Sequence, residues 1–385
     1  MLLIALLSLV FGTIVDSHRK KQVMLASTFI TLVTYLLAGS LYVIFPTNEL
    51  VNWQTAAFWL FSLIILCGAV VENMRNIALS TTVTLLVDKE NHARANGLVG
   101  TVQGLAFVVT SVFSGLAIGF LGMGWTLVIA IVLTAIACVH LLFISIPEDK
   151  IIHDPALKGK KIDFKGSMLA IHAVPGLMGL ILFTTFNNFI GGVFMSLVDP
   201  YGLTLFSVEI WGIVLGITST GFIVGGILVA KKGLGKRPLR TLLFVNIAMA
   251  IVGMVFAIRE VWWLYTLGNF VYMVLFPIIE ASEQTIIQRV VPFKRQGRVF
   301  GFAQSIEAAA APITAFLVGP LAQFLVIPYM NEGGGEKRLE WLLGNGNARG
   351  IALIFLITGL IMLFITSLAF FTKTYRRLSN YYAKS

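Results

Sequence analysis

The chain is 385 residues long, 57% hydrophobic and only 12% charged, against roughly 25% charged residues in an ordinary soluble domain, which excludes a soluble globular protein. Its apolar residues, 29 Phe among them, are spread over the whole length, so a soluble enzyme carried on a single anchor is excluded too. The net charge of +10 is read first as a topology signal and not as a nucleic-acid footprint, because membrane proteins gather Lys and Arg in their cytoplasmic loops.

A hydrocarbon core of about 30 Å takes about 20 apolar residues per helical crossing. Runs of that kind fall, in chain order, at about 1–15, 22–45, 56–86, 97–121, 125–146, 167–198, 207–230, 241–258, 262–290, 299–328 and 350–372, eleven in all. Their unbroken apolarity and internal Gly, Ser and Thr suit packed helices, whereas barrel strands would alternate every second residue. The predicted class is an all-α polytopic membrane protein. The two cysteines, Cys67 and Cys138, lie inside apolar runs, so neither a disulfide framework nor a metal site is expected.

The first run has no basic residue before it and no small-residue cleavage site after it, which argues against a signal peptide. Lys and Arg alternate by loop. Arg19, Lys20, Lys21, Lys89, Arg94, the linker lysines, the cluster Lys231–Arg240, Lys294, Arg295, Arg298 and the C-terminal group fall on one side, while Arg259, Lys337, Arg338 and Arg349 fall on the other. The positive-inside rule places the first set, and the C-terminus, in the cytoplasm. Eleven crossings ending in the cytoplasm must begin outside, yet the chain opens directly with MLLIALLSLVFG, so a preceding helix is expected to be missing.

The longest basic-side linker, 147–166, divides the runs into an N-terminal bundle (1–146, five helices) and a C-terminal bundle (167–372, six helices), followed by a tail at 373–385. Shifting the sequence by 204 residues superimposes Arg94 on Arg298, Gly97 on Gly301 and Gly115 on Gly319, a weak repeat of the parallel kind that paired six-helix transporter bundles show.

Gly12, Asp16, Lys20 and Lys21 match the signature Gly-x-x-x-Asp-Arg/Lys-x-Gly-Arg/Lys-Arg/Lys, with Ser17 and Arg19 departing from it. A degenerate copy stands in the second half at Gly226, Lys231, Lys232 and Gly233, where Ala230 occupies the acid's position. With these two copies the chain resembles the major facilitator superfamily. The stretch Leu86–Gly97 and the later Gly297-Arg298-Val299-Phe300-Gly301 look like its macrolide-efflux branch of bacterial drug:proton antiporters. The Arg-x-x-Gln-Gly pattern of many antiporters is here Arg75-Asn76-Ile77-Ala78-Leu79, and the Gly-Pro pair expected in helix five is absent. The resemblance implies that the first visible run is family helix two, and that runs 56–86, 167–198 and 262–290 are the cavity helices four, seven and ten. It also implies a cytoplasmic gating motif made of Gly12, Asp16, Arg19, Lys20, Lys21, Gly226, Lys231 and Gly233. Asp16 would there accept hydrogen bonds from N–H groups near a neighbouring helix's N-terminus, where negative charge is favoured.

Charges at bilayer depth are functional candidates by default. Glu72 and Arg75 are three residues apart and share a helical face, so they either pair as a static bridge or carry a proton. Glu280 and Glu283 have the same spacing with no cation within a turn, and mutual repulsion favours keeping a proton on one of them. Asn187 and Asn188 precede Gly191-Gly192, an expected weak point of that helix, and Gln304 and Glu307 are further cavity candidates.

The expected function is secondary transport by alternating access, most simply proton-coupled efflux of an amphipathic small molecule from a bacterial cytoplasmic membrane. An importer of a sugar or metabolite, or a non-transporting sensor or scaffold on the same fold, are the alternatives. No GxxxxGK[ST], G-x-S-x-G or HExxH pattern occurs, so ATP, other cofactors and enzymatic chemistry are not expected. The expected partners are the solute, protons and the lipid bilayer, with no nucleic acid and a monomeric state.

Overall fold

The structure, a computed structural model, describes residues 2–148, 163–331, 334–344, 346 and 348–385. Helices α1 (Leu2–Ser17) and α2 (Lys20–Ile44) are followed by the short α3 (Thr47–Val51) and by α4 (Ala56–Leu86), which starts where the Thr55 hydroxyl accepts from the Phe58 N–H. Next come α5 (His92–Leu116) and α6 (Gly122–Phe143), joined by one wide helical turn. Of the linker 147–166, residues 149–162 lie outside the described residues. Beyond it come α7 (Phe164–His172), α8 (Leu177–Leu205), α9 (Val208–Lys232), α10 (Pro238–Val255) and α11 (Trp262–Val290). The chain ends with α12 (Phe293–Leu321), α13 (Ile327–Asn331), α14 (Gly335–Leu343), α15 (Arg349–Ala369) and α16 (Lys373–Lys384). The described residues contain no strand.

Nine stretches among the described residues are long and apolar enough to cross a membrane: α2, α4, α6, α8, α9, α10, α11, the continuous Phe293–Asn331 and α15. The other two predicted runs are also helices, the shorter apolar α1 and the 25-residue α5, packed along α12 and α9. Two boundaries differ from expectation. The run 167–198 is two helices, because Pro175 and a left-handed Gly176 (φ +90°) end α7 and start α8, a conformation glycine adopts without a Cβ clash. The supposed weak point at Gly191-Gly192 is continuous helix.

In the first half α2 packs on α4 and α6; in the second α11 packs on α9 and α10, α15 on α10, and α8 on α12. The most extensive contacts between the halves are those of α1 with α12 and of α5 with α9. Small residues permit this approach: a Cβ on Gly226 would stand 2.5 Å from the Thr101 backbone nitrogen, and one on Gly104 2.7 Å from the Phe222 Cβ. At the end carrying the basic loops, one apolar core joins the halves, with Phe11, Val15 and Met74 meeting Ile171, Ile286 and Phe302. A second core around Phe194, Tyr201, Phe256 and Phe355 lies wholly within the second half.

Candidate functional site

A polar cavity of about 150 Å³ opens between α4, α5, α11 and α12. Its charged lining consists of Glu280 and Glu283 on α11 and Glu307 on α12, joined by the amides of Asn76, Gln103 and Gln304. Glu283 does not face Glu280 alone. The Thr184 hydroxyl, reaching in from α8, lies 3.0 Å from Glu283 Oε1 and 2.7 Å from Glu307 Oε1. A hydroxyl has one hydrogen to donate, so both contacts are hydrogen bonds only when one of the carboxyls carries a proton. The sequence holds the signal for Glu307 but none for Thr184, which lies about a hundred positions from both acids and meets them only through packing. Gln304 donates to Asn73 Oδ1 at 2.9 Å, and Asn73 donates to Ser8 at 3.2 Å, tying α12 to α4 and α1.

The cavity is closed at the basic end by two polar contacts between the halves. Asp16, almost fully buried, accepts from the Gly297 N–H (2.7 Å), the Arg298 N–H (3.0 Å) and Arg298 Nε (3.1 Å). Arg298 in turn donates through Nη1 to Asp163 at 2.6 Å, so one buried guanidinium sits between two carboxylates. Gly12, one turn before Asp16, faces the Gly297 and Gly301 backbone with no room for a side chain. In the second contact Asn96 donates to Thr285 (2.9 Å) and Gln288 (2.8 Å), and Gln288 donates to the Ser80 carbonyl at 2.9 Å.

The remaining motif residues are divided. Lys20 is buried, donating to the Val15 carbonyl at 2.7 Å beside Glu148, whereas Arg19 is exposed. Lys21 donates to the Leu142 carbonyl. In the degenerate copy Gly226 carries the close approach of α9 to α5, Lys231 is exposed, and Gly233 (φ +69°) ends α9. Lacking an acid at Ala230, that side has no counterpart of the Asp16 contact, and Arg94, the repeat partner of Arg298, is exposed.

The structure does not bring Glu72 and Arg75 to the cavity. They bond to each other at 2.5 Å on α4 with side chains 38% and 40% exposed, a pair that satisfies itself along one helix. Asn187 and Asn188 also lie off the cavity: Asn188 donates to the Thr184 carbonyl, and the Asn187 amide is buried without a hydrogen bond. Asp163, Asn96 and Gln288 were not predicted, since a buried polar residue between helices is indistinguishable in sequence from a loop or surface one.

A sequence model described as Major Facilitator Superfamily matches residues 1–315. No curated protein matches the sequence. Among solved structures the fold is similar to that of a human organic anion transporter, TETRAN, with a TM-score of 0.66 at 15% identity over 95% of this chain and 81% of that one. It is similar as well to the E. coli fucose:proton symporter (TM-score 0.63, 14% identity, 94% and 90% covered). A bacterial homologue of the iron transporter ferroportin in the outward-facing state gives a TM-score of 0.65 at 13% identity, with 96% and 88% covered. Identities this low speak to the fold alone.

Proposed function

The chain belongs to the Major Facilitator Superfamily, and from that premise we propose that it is a proton-coupled exporter of an amphipathic small molecule, of the macrolide-efflux kind, acting as a monomer in a bacterial cytoplasmic membrane. A transporter, and not an enzyme, is what the family and the similar folds support. The observation that carries the coupling is the Thr184 hydroxyl held between Glu283 and Glu307. It offers a proton a site shared by two carboxyls at the meeting of three helices, within a cavity between the halves. We assign the coupled proton to Glu283 and Glu307, in place of the Glu280–Glu283 pair expected from spacing.

The described basic loops, among them Arg19, Lys20 and Lys21, Lys89 and Arg94, and Lys294, Arg295 and Arg298, stand at the end sealed by the Asp16–Arg298 and Asn96–Gln288 contacts, which supports that end as cytoplasmic. The arrangement described is therefore the outward-facing one. Release of both contacts admits solute from the cytoplasm, and loss of the proton from the Glu283–Glu307 pair accompanies its entry. Two bundles rocking about this cavity give alternating access.

The test is flux in proteoliposomes under an imposed pH gradient, with a panel of cationic, neutral and anionic amphipathic solutes. Glu283→Gln, Glu307→Gln and Thr184→Val should each lose gradient-driven flux while keeping downhill exchange. Full gradient-driven flux in both carboxamide variants would remove the proton from this pair, and no flux of any solute by the parent protein would overturn the transporter reading.

A further inference from the structure

One face of α10 carries a stripe that takes no part in the cavity or its seal. Arg237, Arg240, Phe244 and Ile247 stand at spacings of three, four and three residues, which puts them on one side of the helix. Leu239, Leu242 and Leu243 between them are buried, so the stripe is the outer side. Its two arginines are exposed at the basic end, and Phe244 and Ile247 follow along a helix long and apolar enough to cross the membrane. The stripe is therefore charged at the helix end, where headgroups lie, and apolar where hydrocarbon begins.

This stripe is one wall of a groove of about 560 Å³; Phe370 and Phe371 after α15 and Tyr375 in the first turn of α16 belong to the other. The walls are joined by aromatic contacts, Phe244 to Phe370 at 5.2 Å and Phe370 to Tyr375 at 5.5 Å between ring centroids. Arg240 lies over the Phe244 ring at 5.2 Å, a cation–π contact that keeps its charge on the groove wall. Neither guanidinium has an ion-pair or hydrogen-bond partner among the described residues, and no Asp or Glu lines the groove. Carboxylates are missing more widely too. The basic-end segments of the second half, 231–240, 291–298 and 370–385, contain none.

The chemistry of the occupant follows from these two ends. Two guanidiniums one turn apart suit a phosphate, whose oxygens accept paired N–H donors. A free phosphate would leave the apolar part of the groove unused, whereas Phe244 and Phe371, 50% and 75% exposed, offer a surface for hydrocarbon. We propose that the groove binds one anionic phospholipid from the leaflet at the basic end. Its phosphate accepts from Arg237 and Arg240, and its acyl chains lie along Phe244, Ile247 and Phe371. One lipid then touches α10, α16 and the end of α15 at once.

The experiment is native mass spectrometry of the full chain, delipidated in detergent, with dioleoyl phosphatidylglycerol or dioleoyl phosphatidylcholine. The two lipids share chains and a phosphate, but only the first has net charge, and it should be retained about tenfold more tightly. An excess of sn-glycerol 3-phosphate, the headgroup chemistry without chains, should not displace it. Combining Arg237→Gln with Arg240→Gln should erase the preference at an unchanged melting temperature. Combining Arg376→Gln with Arg377→Gln, which removes two exposed charges of α16 outside the groove, should preserve it. No retention of phosphatidylglycerol, equal retention of both lipids, or displacement by glycerol phosphate would each overturn the site. So would a preference that survives loss of the α10 arginines, or one that falls equally with those of α16, since the attraction would then belong to the basic surface as a whole.

Discussion

Asp16 has three donors on one carboxylate, all from α12, and none of its own helix competes for them. Hydrogen bonds to a charged group are worth about 1.5–3 kcal/mol each, so the contact outweighs the cost of burying the pair only while all three are made. Asp16→Asn keeps the shape and one acceptor oxygen but drops the charge. It should shift the balance towards opening of the basic end by about 1.4 kcal/mol, roughly tenfold. Labelling of an Ala303→Cys reporter in the cavity, in a background without Cys67 and Cys138, should rise accordingly; an unchanged rate at normal expression would mean that Asp16 does not hold the gate. At the opposite end a cation assigned to an outer loop is in fact fully buried. Arg349 donates to the Leu343 carbonyl (2.6 Å), the Tyr201 hydroxyl (2.8 Å) and Glu260 (3.1 Å), and its guanidinium lies over the Tyr201 ring. Arg349→Met strips these groups of their donor, and leaving a buried acceptor such as the Leu343 carbonyl unsatisfied typically costs about 1–3 kcal/mol, so the variant should be less stable by about that much. A melting temperature within error of the parent protein's would refute that account. Glu72→Gln, by contrast, should be mild, because the Glu72–Arg75 pair is more than a third exposed and such pairs are worth about 0–1 kcal/mol.

At the scale of elements, the helices that cross between the halves depend on what is missing from their surfaces. Gly226 on α9 rests against the Thr101 backbone of α5, and backbone cannot step aside as a side chain can. Gly226→Ala should therefore push the two helices apart and favour the open arrangement, seen as faster labelling of the same Ala303→Cys reporter; slower labelling would contradict it. The terminal helix α16 is polar along most of its length but turns Leu378 and Tyr382 inward. Leu378 sits over Gly176, the Tyr382 ring accepts the Arg289 guanidinium at 4.8 Å, and Lys89 from the first half reaches the Ser385 carbonyl at 3.0 Å. This helix is thus a strap across the basic end and not a free tail. Leu378→Ala, removing a fully buried side chain, should lower stability by about 2–4 kcal/mol, measured by thermal unfolding in detergent, and undiminished stability would show that α16 is not docked.

For the whole molecule, the two halves repeat each other in arrangement but not in chemistry. Arg298 is buried against Asp16 and Asp163, while its repeat partner Arg94 is exposed because Ala230 offers no acid. One crossing is sealed by charge and the other by amides and close packing, so the first responds to the loss of a single carboxylate and the second to volume. The distribution of basic residues predicts the orientation of the assembly. A fluorescent protein fused after Ser385 should fluoresce in cells and an alkaline phosphatase fusion at the same point should be inactive; the reverse pair of results would invert the proposed direction of transport.

Sequence alone determined the class, the long apolar helices and their order, because the bilayer demands long apolar stretches wherever the chain crosses it. It determined as well which residues were chemically unusual, since Asp16, Glu280, Glu283 and Glu307 stand out against an apolar background whatever they touch. It did not separate α7 from α8, where Pro175 and Gly176 interrupt a run whose hydrophobicity is unbroken. Tertiary structure alone decided partnership. Whether Glu283 answers to Glu280 or to Glu307 depends on Thr184 arriving from a third helix, and whether Arg349 is a loop charge or a buried hub depends on Tyr201, some 148 positions away. Hydrophobic periodicity reports how far a side chain stands from water, whereas hydrogen bonds are made between atoms about 3 Å apart, and that distance is fixed only when the helices pack.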